Sequence, residues 1–159
     1  MLAKQAKVQK GKISVGDLYG AIQEEMSKAK SHLSTIVETE STKTRNVGGA
    51  MKIGRLAATV GDIDPNVFFV ITRDEHVCDE CIRLHMMPDQ ITPRVWKFNE
   101  LKQGYHKKGE EVPSSFGLHP NCRCTLTYLS LGFSFNEKGL LIYKGQGFDQ
   151  YKEQERSNA

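Results

Sequence analysis

The four cysteines of this chain fall into two tight pairs that are separated by a long segment. The first pair is the Cys-x-x-Cys of Cys78 and Cys81, and the second is the Cys-x-Cys of Cys122 and Cys124. A Cys-x-x-Cys turn lets two thiolates face one ion, and alternation along an extended chain puts both sulfurs of a Cys-x-Cys on one face. The pattern therefore predicts a site where two distant segments bind the same metal ion.

Zinc fits this donor set, because tetrahedral thiolate and imidazole ligands are its usual structural environment. His119 precedes the second pair, so either all four cysteines or three of them with His119 would complete the shell. A closed shell of protein ligands leaves no position for water or substrate, so we expect a structural site without a catalytic residue. The predicted ligands are drawn from Cys78, Cys81, His119, Cys122 and Cys124.

Other interpretations of the cysteines stay open. A redox Cys-x-x-Cys normally opens a helix in a βαβ setting, and no second such unit is visible. The thiols could also be free, or form disulfides only after cell lysis. The long spacing argues against a standard nucleic-acid zinc finger. A catalytic site would need a neighbouring base, and no dedicated motif surrounds the histidines and acids of this stretch, which are His76, His85, His106, His119, Asp74, Glu75 and Glu80.

Length and charge narrow the class of protein. A chain of 159 residues fits one domain, and a hydrophobic content of 38% predicts a modest core that an internal staple would stabilise. The net charge of +3 is too small to indicate nucleic-acid binding by itself. Basic residues nevertheless cluster without acids in two stretches, which could face DNA or an acidic protein: Lys4, Lys7, Lys10, Lys12, Lys43, Arg45, Lys52 and Arg55.

The sequence predicts no contact with a membrane. No segment reaches the roughly 20 apolar residues of a membrane span, and the polar start after Met1 is unlike a secretory signal. We therefore expect synthesis and assembly in the cytoplasm, where disulfides are disfavoured and paired cysteines more often bind metal.

Apolar residues at spacings of three and four predict a helix from about Val15 to about Glu38, with Ser14 as its N-cap. Gly48-Gly49 predicts either a break or a close backbone approach, because each glycine costs a helix interior roughly 1 kcal/mol. A further helical segment is expected to end near Gly61. The apolar face of the first helix comprises Leu18, Ile22, Met26, Ala29, Leu33, Ile36 and Val37.

The rest of the chain reads as short strands and loops. The β-branched and aromatic run Val67–Thr72 predicts a strand buried on both faces. A short helix at Cys81–Met87 and a strand at Cys122–Leu131 are expected next. Strand formers flank the Asn136–Gly139 turn and predict a hairpin.

These elements predict an α+β fold. Its N-terminal helical part packs on a small antiparallel β-sheet, with a Cys/His zinc knuckle and a C-terminal β-hairpin. The expected division is a basic arm at 1–13, a helical region at 14–61, a Cys-rich α+β domain at 62–147 and a polar tail at 148–159.

The order of motifs is similar to one family. The chain resembles the phage Mu F-like head morphogenesis family of minor head proteins through two motifs in this order. The first is Asp74-x3-Cys78-x2-Cys81-x2-Leu84-His85, and the second is His119-Pro120-Asn121-Cys122-Arg123-Cys124. The family also has a helical segment with a Thr-Glu pair and a later Asn, followed by a short hydrophobic strand. These features are matched here by Thr39-Glu40, Asn46 and the predicted strand before the first cysteines, so the resemblance covers about Ile36 to Leu129. Met86 and Met87 stand where the family usually has a glycine, and the 88–117 segment is longer than usual.

The resemblance implies a structural, non-enzymatic minor capsid protein of a tailed bacteriophage. Such a protein acts in head morphogenesis, is assembled in the bacterial cytoplasm and ends in the virion, at or near the portal and head–tail junction or in the head interior. Its implied partners are portal, major capsid or neck proteins, in an assembly of multiple copies. Packaged DNA would be contacted through non-specific phosphate contacts. The alternatives are a zinc-containing nuclease or toxin-like enzyme related to the phage domain, and a nucleic-acid-binding module.

Overall fold

A computed structural model of the chain describes residues 14–75 and 77–158. The predicted basic arm at 1–13 lies outside these residues, as does His76. The described chain divides into two units, one up to Val37 and one from Glu38 onward. The boundary therefore lies inside the first helix and inside the predicted helical region at 14–61.

Helix α1 runs without interruption from Val15 to Thr59. Ser14 caps its start as predicted, because the Ser14 hydroxyl accepts the backbone N–H of Asp17 at 3.1 Å, and the Asp17 carboxylate accepts the Ser14 N–H at 3.3 Å. At its end Gly61 adopts a positive φ of 70°, and the N–H of Asp62 reaches back to the carbonyl of Ala57 at 2.9 Å. This is a Schellman ending, which the sequence located correctly near Gly61.

Of the two outcomes predicted at Gly48-Gly49, a break or a close backbone approach, the break was wrong. The helix continues through both glycines because this part of α1 packs on the rest of its unit, with Thr42, Asn46, Ile53 and Ala57 all buried. A Cβ on Gly49 would lie in ordinary van der Waals contact with the carbonyl oxygen of Leu126, at 3.6 Å, so α1 passes close to the backbone of β3 at this glycine. Tertiary contacts thus offset the helix-propensity cost of about 1 kcal/mol per glycine.

A three-stranded antiparallel sheet forms the centre of the second unit. Its strands are β1 (Asn66–Val70), β2 (Val95–Lys97) and β3 (Thr125–Leu129), in the order β2-β1-β3. Phe68 pairs with both Val95 and Thr127 across the sheet. Strand β1 is buried on both faces as predicted, because Val67 and Phe69 enter one hydrophobic cluster and Phe68 enters another.

The strand predicted at Cys122–Leu131 is shorter, since pairing with β1 begins only at Thr125. The backbone before it turns at Asn121, whose φ is 61°, and the N–H of Cys122 bonds to the carbonyl of His119. The second cysteine pair therefore lies mainly in the approach to β3.

Helix α2 (Asp79–His85) begins inside the Cys-x-x-Cys turn, and a short 3-10 helix follows β2 at Phe98–Glu100. The predicted hairpin is confirmed as β4 (Phe133–Phe135) paired with β5 (Leu141–Tyr143). Its turn is held by the Asn136 side chain, which accepts the N–H groups of Lys138 and Leu140 at 2.9 Å.

The predicted polar tail contains an ordered helix, α3 (Gln150–Asn158). Two of its glutamines are buried because they satisfy polar groups of the sheets. Gln154 accepts the backbone N–H of Val95 at 3.0 Å, and the Ser134 hydroxyl donates to Gln150 at 2.5 Å. The polarity of this segment hence reflects specific pairing as well as solvation.

The architecture is the predicted α+β fold, with a long N-terminal helix, small antiparallel sheets and a Cys/His cluster. Within the part of the chain that the structure describes, no helix combines the length and the apolarity needed to cross a membrane.

Candidate metal centre

The two cysteine pairs are brought together by the ends of β1 and β3. After β1 the chain reaches Cys78, which is the N-cap of α2 and whose sulfur accepts the backbone N–H of Cys81 at 3.3 Å. Strand β3 pairs with β1 along its whole length, so the residues just before Thr125 lie next to those that follow Val70. Sheet pairing therefore closes the distance between two segments that are far apart in sequence.

All five predicted ligands meet in one cluster. The His119 Nε2 lies 3.0 Å from the Cys78 Sγ and 3.2 Å from the Cys81 Sγ, and the Cys81 Sγ lies 4.0 Å from the Cys122 Sγ. The donor atoms form two groups of three, Cys78–Cys81–His119 and Cys81–Cys122–Cys124, with every pair within a group no more than 4.8 Å apart. Cys81 belongs to both groups.

These separations suit a tetrahedral metal ion. Zinc–sulfur bonds of about 2.3 Å and zinc–nitrogen bonds of about 2.0 Å place ligand atoms roughly 3.5–3.8 Å apart. A void of about 10 Å³ is bordered by Cys78, Cys81, His119 and Cys124. The four cysteines are free thiols. The donor chemistry, the spacing and the void together fit a bound cation, and the cluster offers more donors than a four-ligand shell uses.

His119 is held in the tautomer that a metal ligand needs. Its Nδ1 lies 2.6 Å from the carbonyl oxygen of Pro120, which can only accept a hydrogen bond, so Nδ1 carries the proton. The lone pair is therefore on Nε2, the atom that points at Cys78 and Cys81. A carbonyl partner on the remote nitrogen is the usual way in which a ligating histidine is oriented.

The thiols share their protons unequally. Hydrogen bonds from the thiols of Cys124 and Cys81 lower the pKa of Cys122 far below its ordinary value, helped by the backbone N–H groups of Leu118 and Cys124. The same hydrogen bonds to Cys122 raise the pKa values of Cys81 and Cys124. A thiolate is the form of cysteine that binds a cation, so the lowered pKa of Cys122 favours metal binding.

The loop that carries His119 and the second cysteine pair is anchored on two sides. The Arg123 guanidinium lies 2.6 Å from the Asp74 carboxylate, next to the first cysteine pair. The backbone N–H of Asn121 donates to the Thr39 hydroxyl of α1 at 3.0 Å. These contacts fix the loop against both α1 and the segment before Cys78.

A second polar cluster, which the sequence pattern did not identify, lies beside the first. The Glu80 carboxylate receives the Arg83 guanidinium at 2.9 Å, the His106 Nε2 at 3.1 Å and the Gly109 N–H at 3.0 Å. Hydrogen bonds from Arg83, then Gly109 and His106, hold the pKa of Glu80 well below its ordinary value. Glu80 is therefore a fixed anion that ties the 106–109 loop to α2. In the sequence, the only indication of these ion pairs and hydrogen bonds is the large number of charged residues in this stretch.

His85 occupies an apolar site. Its ring is fully buried and stacks on Phe69 with a centroid distance of 4.1 Å. Neither ring nitrogen has a hydrogen-bond partner among the described residues. Burial lowers the pKa of His85 from 6.5 to about 3, so the ring is neutral at physiological pH. The sequence placed His85 near the cysteines without showing that it lies in the core.

A cavity of about 600 Å³ opens next to the cluster. Cys78, His119 and Cys122 border it on one side, and Glu80 and His106 border it on another. Its remaining wall includes two lysines and two aromatic side chains, Lys43, Lys108, Tyr105 and Phe116. The Lys43 ammonium lies 5.6 Å from the Tyr105 ring centre and 5.8 Å from that of Phe116.

Comparison with known proteins adds no relative. No protein-family model, no curated protein and no solved structure matches this chain.

Proposed function

We propose that this chain is a structural minor head protein of a tailed bacteriophage and that its cysteine cluster binds one structural zinc ion. The observation that carries the proposal is the convergence of Cys78, Cys81, His119, Cys122 and Cys124 within one cluster. These are the residues through which the sequence resembles the phage Mu F-like family. Because their donor atoms lie close together, these residues can cross-link two distant segments of the fold through one metal ion.

Zinc is the metal that these donors favour, because thiolates with one imidazole in a tetrahedral arrangement select zinc over the oxygen-binding cations. The ion would be held by four of the five donors and would join the start of α2 to the approach to β3. Metal binding to preformed ligands contributes directly to the free energy of folding. A small sheet with a modest core gains most from such a cross-link.

A closed shell supports a structural role. Five protein donors are available for four positions, so a bound ion needs no water to complete its coordination. Glu80 has a strongly lowered pKa and accepts hydrogen bonds from three groups. A carboxylate whose pKa is held that low is a weak base, so Glu80 is poorly suited to take a proton from a substrate.

The proposed place of the protein is the virion, at or near the portal and head–tail junction or in the head interior, in multiple copies. Portal, major capsid or neck proteins are its proposed partners. Lys43, Arg45, Lys52 and Arg55 lie along one stretch of α1 and would supply non-specific phosphate contacts to packaged DNA.

The test uses the phage or prophage that encodes the chain. Mass spectrometry of gradient-purified particles should detect the chain at a defined ratio to the major capsid protein. Deletion of its gene should yield defective or empty heads that a plasmid copy rescues, whereas a plasmid copy with Cys81→Ser should not. Normal infectious particles that lack the chain would overturn the proposal.

A second function is favoured by one observation, the cavity beside the cluster. A nuclease or toxin-like enzyme would use such a cavity to hold substrate next to the metal and next to His106 and His119. This candidate predicts metal-dependent DNA cleavage by the purified chain that His119→Ala abolishes. Absence of cleavage with intact zinc content would leave the structural role.

A further inference from the structure

The exposed N-terminal half of α1 carries a regular apolar seam. Val15, Tyr19, Ile22, Met26, Ala29, Leu33 and Ile36 recur at alternating spacings of four and three. We call these seven residues the α1 seam. All seven side chains are exposed. Among those larger than alanine, the exposed fraction ranges from 49% at Ile22 to 85% at Val15. A helix that kept these residues in water would forgo their hydrophobic stabilisation.

The spacing of the α1 seam identifies the kind of partner. A regular alternation of four and three places apolar residues at positions a and d of successive heptads, which is the spacing of a coiled-coil seam. Two further exposed apolar residues flank the seam, Leu18 at a g position and Val37 at an e position. Tyr19, Met26 and Leu33 occupy the a positions, and Val15, Ile22, Ala29 and Ile36 occupy the d positions.

The seam ends where the other unit begins. Continued along the helix, the next a and d positions are Glu40 and Lys43, which are charged. The unit that contains the seam extends to Val37, and the other unit starts at Glu38. The outer face of the same helix stretch is polar or small, with Glu24, Ser27, Lys28, Ser31 and Ser34.

Charged residues beside the α1 seam favour a second copy of this chain, packed parallel to the first. Glu25 occupies a g position and Lys30 the following e position. In a parallel coiled coil the g residue of one helix meets the next e residue of its neighbour, so Glu25 of one copy faces Lys30 of the other. In an antiparallel pair, Lys30 would face only other e positions, which hold Gln23, Lys30 or Val37.

We infer that the α1 seam is a self-association surface on which a second copy of this chain docks in parallel. Within each copy Lys28 lies 2.5 Å from Glu24 and 3.2 Å from Glu25, so Lys28 keeps Glu24 as its partner when Glu25 turns to Lys30 of the neighbouring copy. Leucine at an a position together with isoleucine at d positions favours more than two strands, so additional copies can join the same seam. This inference concerns residues 15–36 and is independent of the metal cluster.

Light scattering on the purified full-length chain tests the inference. The measured mass should rise to a multiple of the 17.9 kDa chain between about 1 and about 100 µM. Ile22→Asp with Leu33→Asp should return it to one chain. The matched control, Ser27→Asp with Ser34→Asp, adds the same charges to the outer face and should retain association. Circular dichroism and zinc content verify that each variant is folded.

Two further variants test direction. Glu25→Lys and Lys30→Glu should each weaken association by about threefold or more, and the double exchange should restore it. Tyr19→Cys should form a disulfide between copies under mild oxidation, whereas Ser27→Cys and the unaltered chain should not. A monomeric chain over the whole concentration range, or association that survives Ile22→Asp with Leu33→Asp, would overturn the proposal. Association without a Tyr19→Cys cross-link would overturn the parallel arrangement.

Discussion

The side-chain amide of Asn46 donates to the carbonyl oxygen of Cys124 at 3.0 Å, from the middle of a long helix to the second cysteine pair. The same side chain accepts the backbone N–H of Leu126 at 3.0 Å. Asn46 is fully buried and thus pairs with the outer edge of β3 in the way that a neighbouring strand would. This contact couples α1 to the candidate metal centre.

Replacement of Asn46 by alanine should lower the free energy of unfolding by about 2–4 kcal/mol. The change leaves the carbonyl of Cys124 and the N–H of Leu126 buried without their partner, and each such group costs about 1–3 kcal/mol. Urea denaturation of the zinc-loaded protein measures the effect. Thr44→Ala, at an exposed position of the same helix, should change stability by less than about 0.5 kcal/mol. Equal effects of the two variants would contradict the role of Asn46.

Cys81→Ser should abolish metal binding. Cys81 belongs to both groups of donors, so its loss leaves only two separate pairs, Cys78 with His119 and Cys122 with Cys124. Mass spectrometry of freshly purified, reduced protein should find one zinc per chain in the wild type and none in this variant. Wild-type protein without any metal would contradict the prediction.

The fourth ligand can be identified with a matched pair of variants, Cys78→Ser and His119→Ala. Their donor atoms lie 3.0 Å apart, so both are near any bound ion. The replacement that removes a ligand should release zinc to a chelator at least tenfold faster than the other replacement. Equal retention of zinc in both variants would mean that either donor can complete the shell when the other is absent.

Glu80→Gln should destabilise the protein at neutral pH and progressively less in acid. The pKa of Glu80 is lowered in the folded state, so its charged form contributes stability above the ordinary carboxyl value of 4.5. That stability is lost as the pH falls below 4.5 towards the folded-state pKa. The difference in unfolding free energy between wild type and variant should therefore narrow below about pH 4.5. Glu111→Gln, which removes an exposed partner of the same Arg83, should have a much smaller effect.

His85→Gln should make stability less sensitive to acid. The pKa of His85 is about 3 in the folded state and 6.5 as its ordinary value, so the unfolded chain takes up a proton that the folded chain excludes. The free energy of unfolding is therefore unaffected by this proton above pH 6.5 and decreases as the pH falls from 6.5 towards 3. Relative to the variant, wild type should lose about 1.4 kcal/mol per pH unit in this window. Parallel pH profiles for wild type and variant would contradict the prediction.

An exposed histidine provides the control for the His85 experiment. His32→Gln removes an imidazole from the surface of α1, where it is not buried. The change in pH profile caused by His85→Gln should exceed the change caused by His32→Gln, because His85 lies in the core and His32 does not. Comparison of the three profiles also cancels any release of metal in acid, because the five ligands are unchanged in each protein.

Local signals in the sequence were enough for the elements that depend on neighbouring residues. Ser14 and Asp17 mark the start of α1 because capping involves residues one turn apart. Asn136 and Gly139 mark the hairpin because a tight turn is closed by its own residues. The five donors were also identified from spacing, since a metal site restricts residue type strongly.

The elements that depend on distant contacts could not be read in the same way. Gly48 and Gly49 predict a break from propensity alone, and the helix persists because its buried face is held against β3. The tail reads as polar, but Gln150 and Gln154 find partners on other strands. Tertiary packing overrides such local preferences because several buried contacts together outweigh a propensity cost of roughly 1 kcal/mol per residue.

By itself, the sequence determined the α+β class, the two-faced burial of β1, the hairpin and the identity of the donor residues. Only the tertiary structure decided that the donors form two groups joined at Cys81, that Asn46 clamps the approach to β3, and that His85 lies in the core while Glu80 is saturated. The physical reason is the separation in sequence over which each kind of interaction acts. Propensity, capping and residue chemistry act over a few residues, whereas strand pairing brings together groups such as Asn46 and Cys124 whose proximity no local pattern encodes.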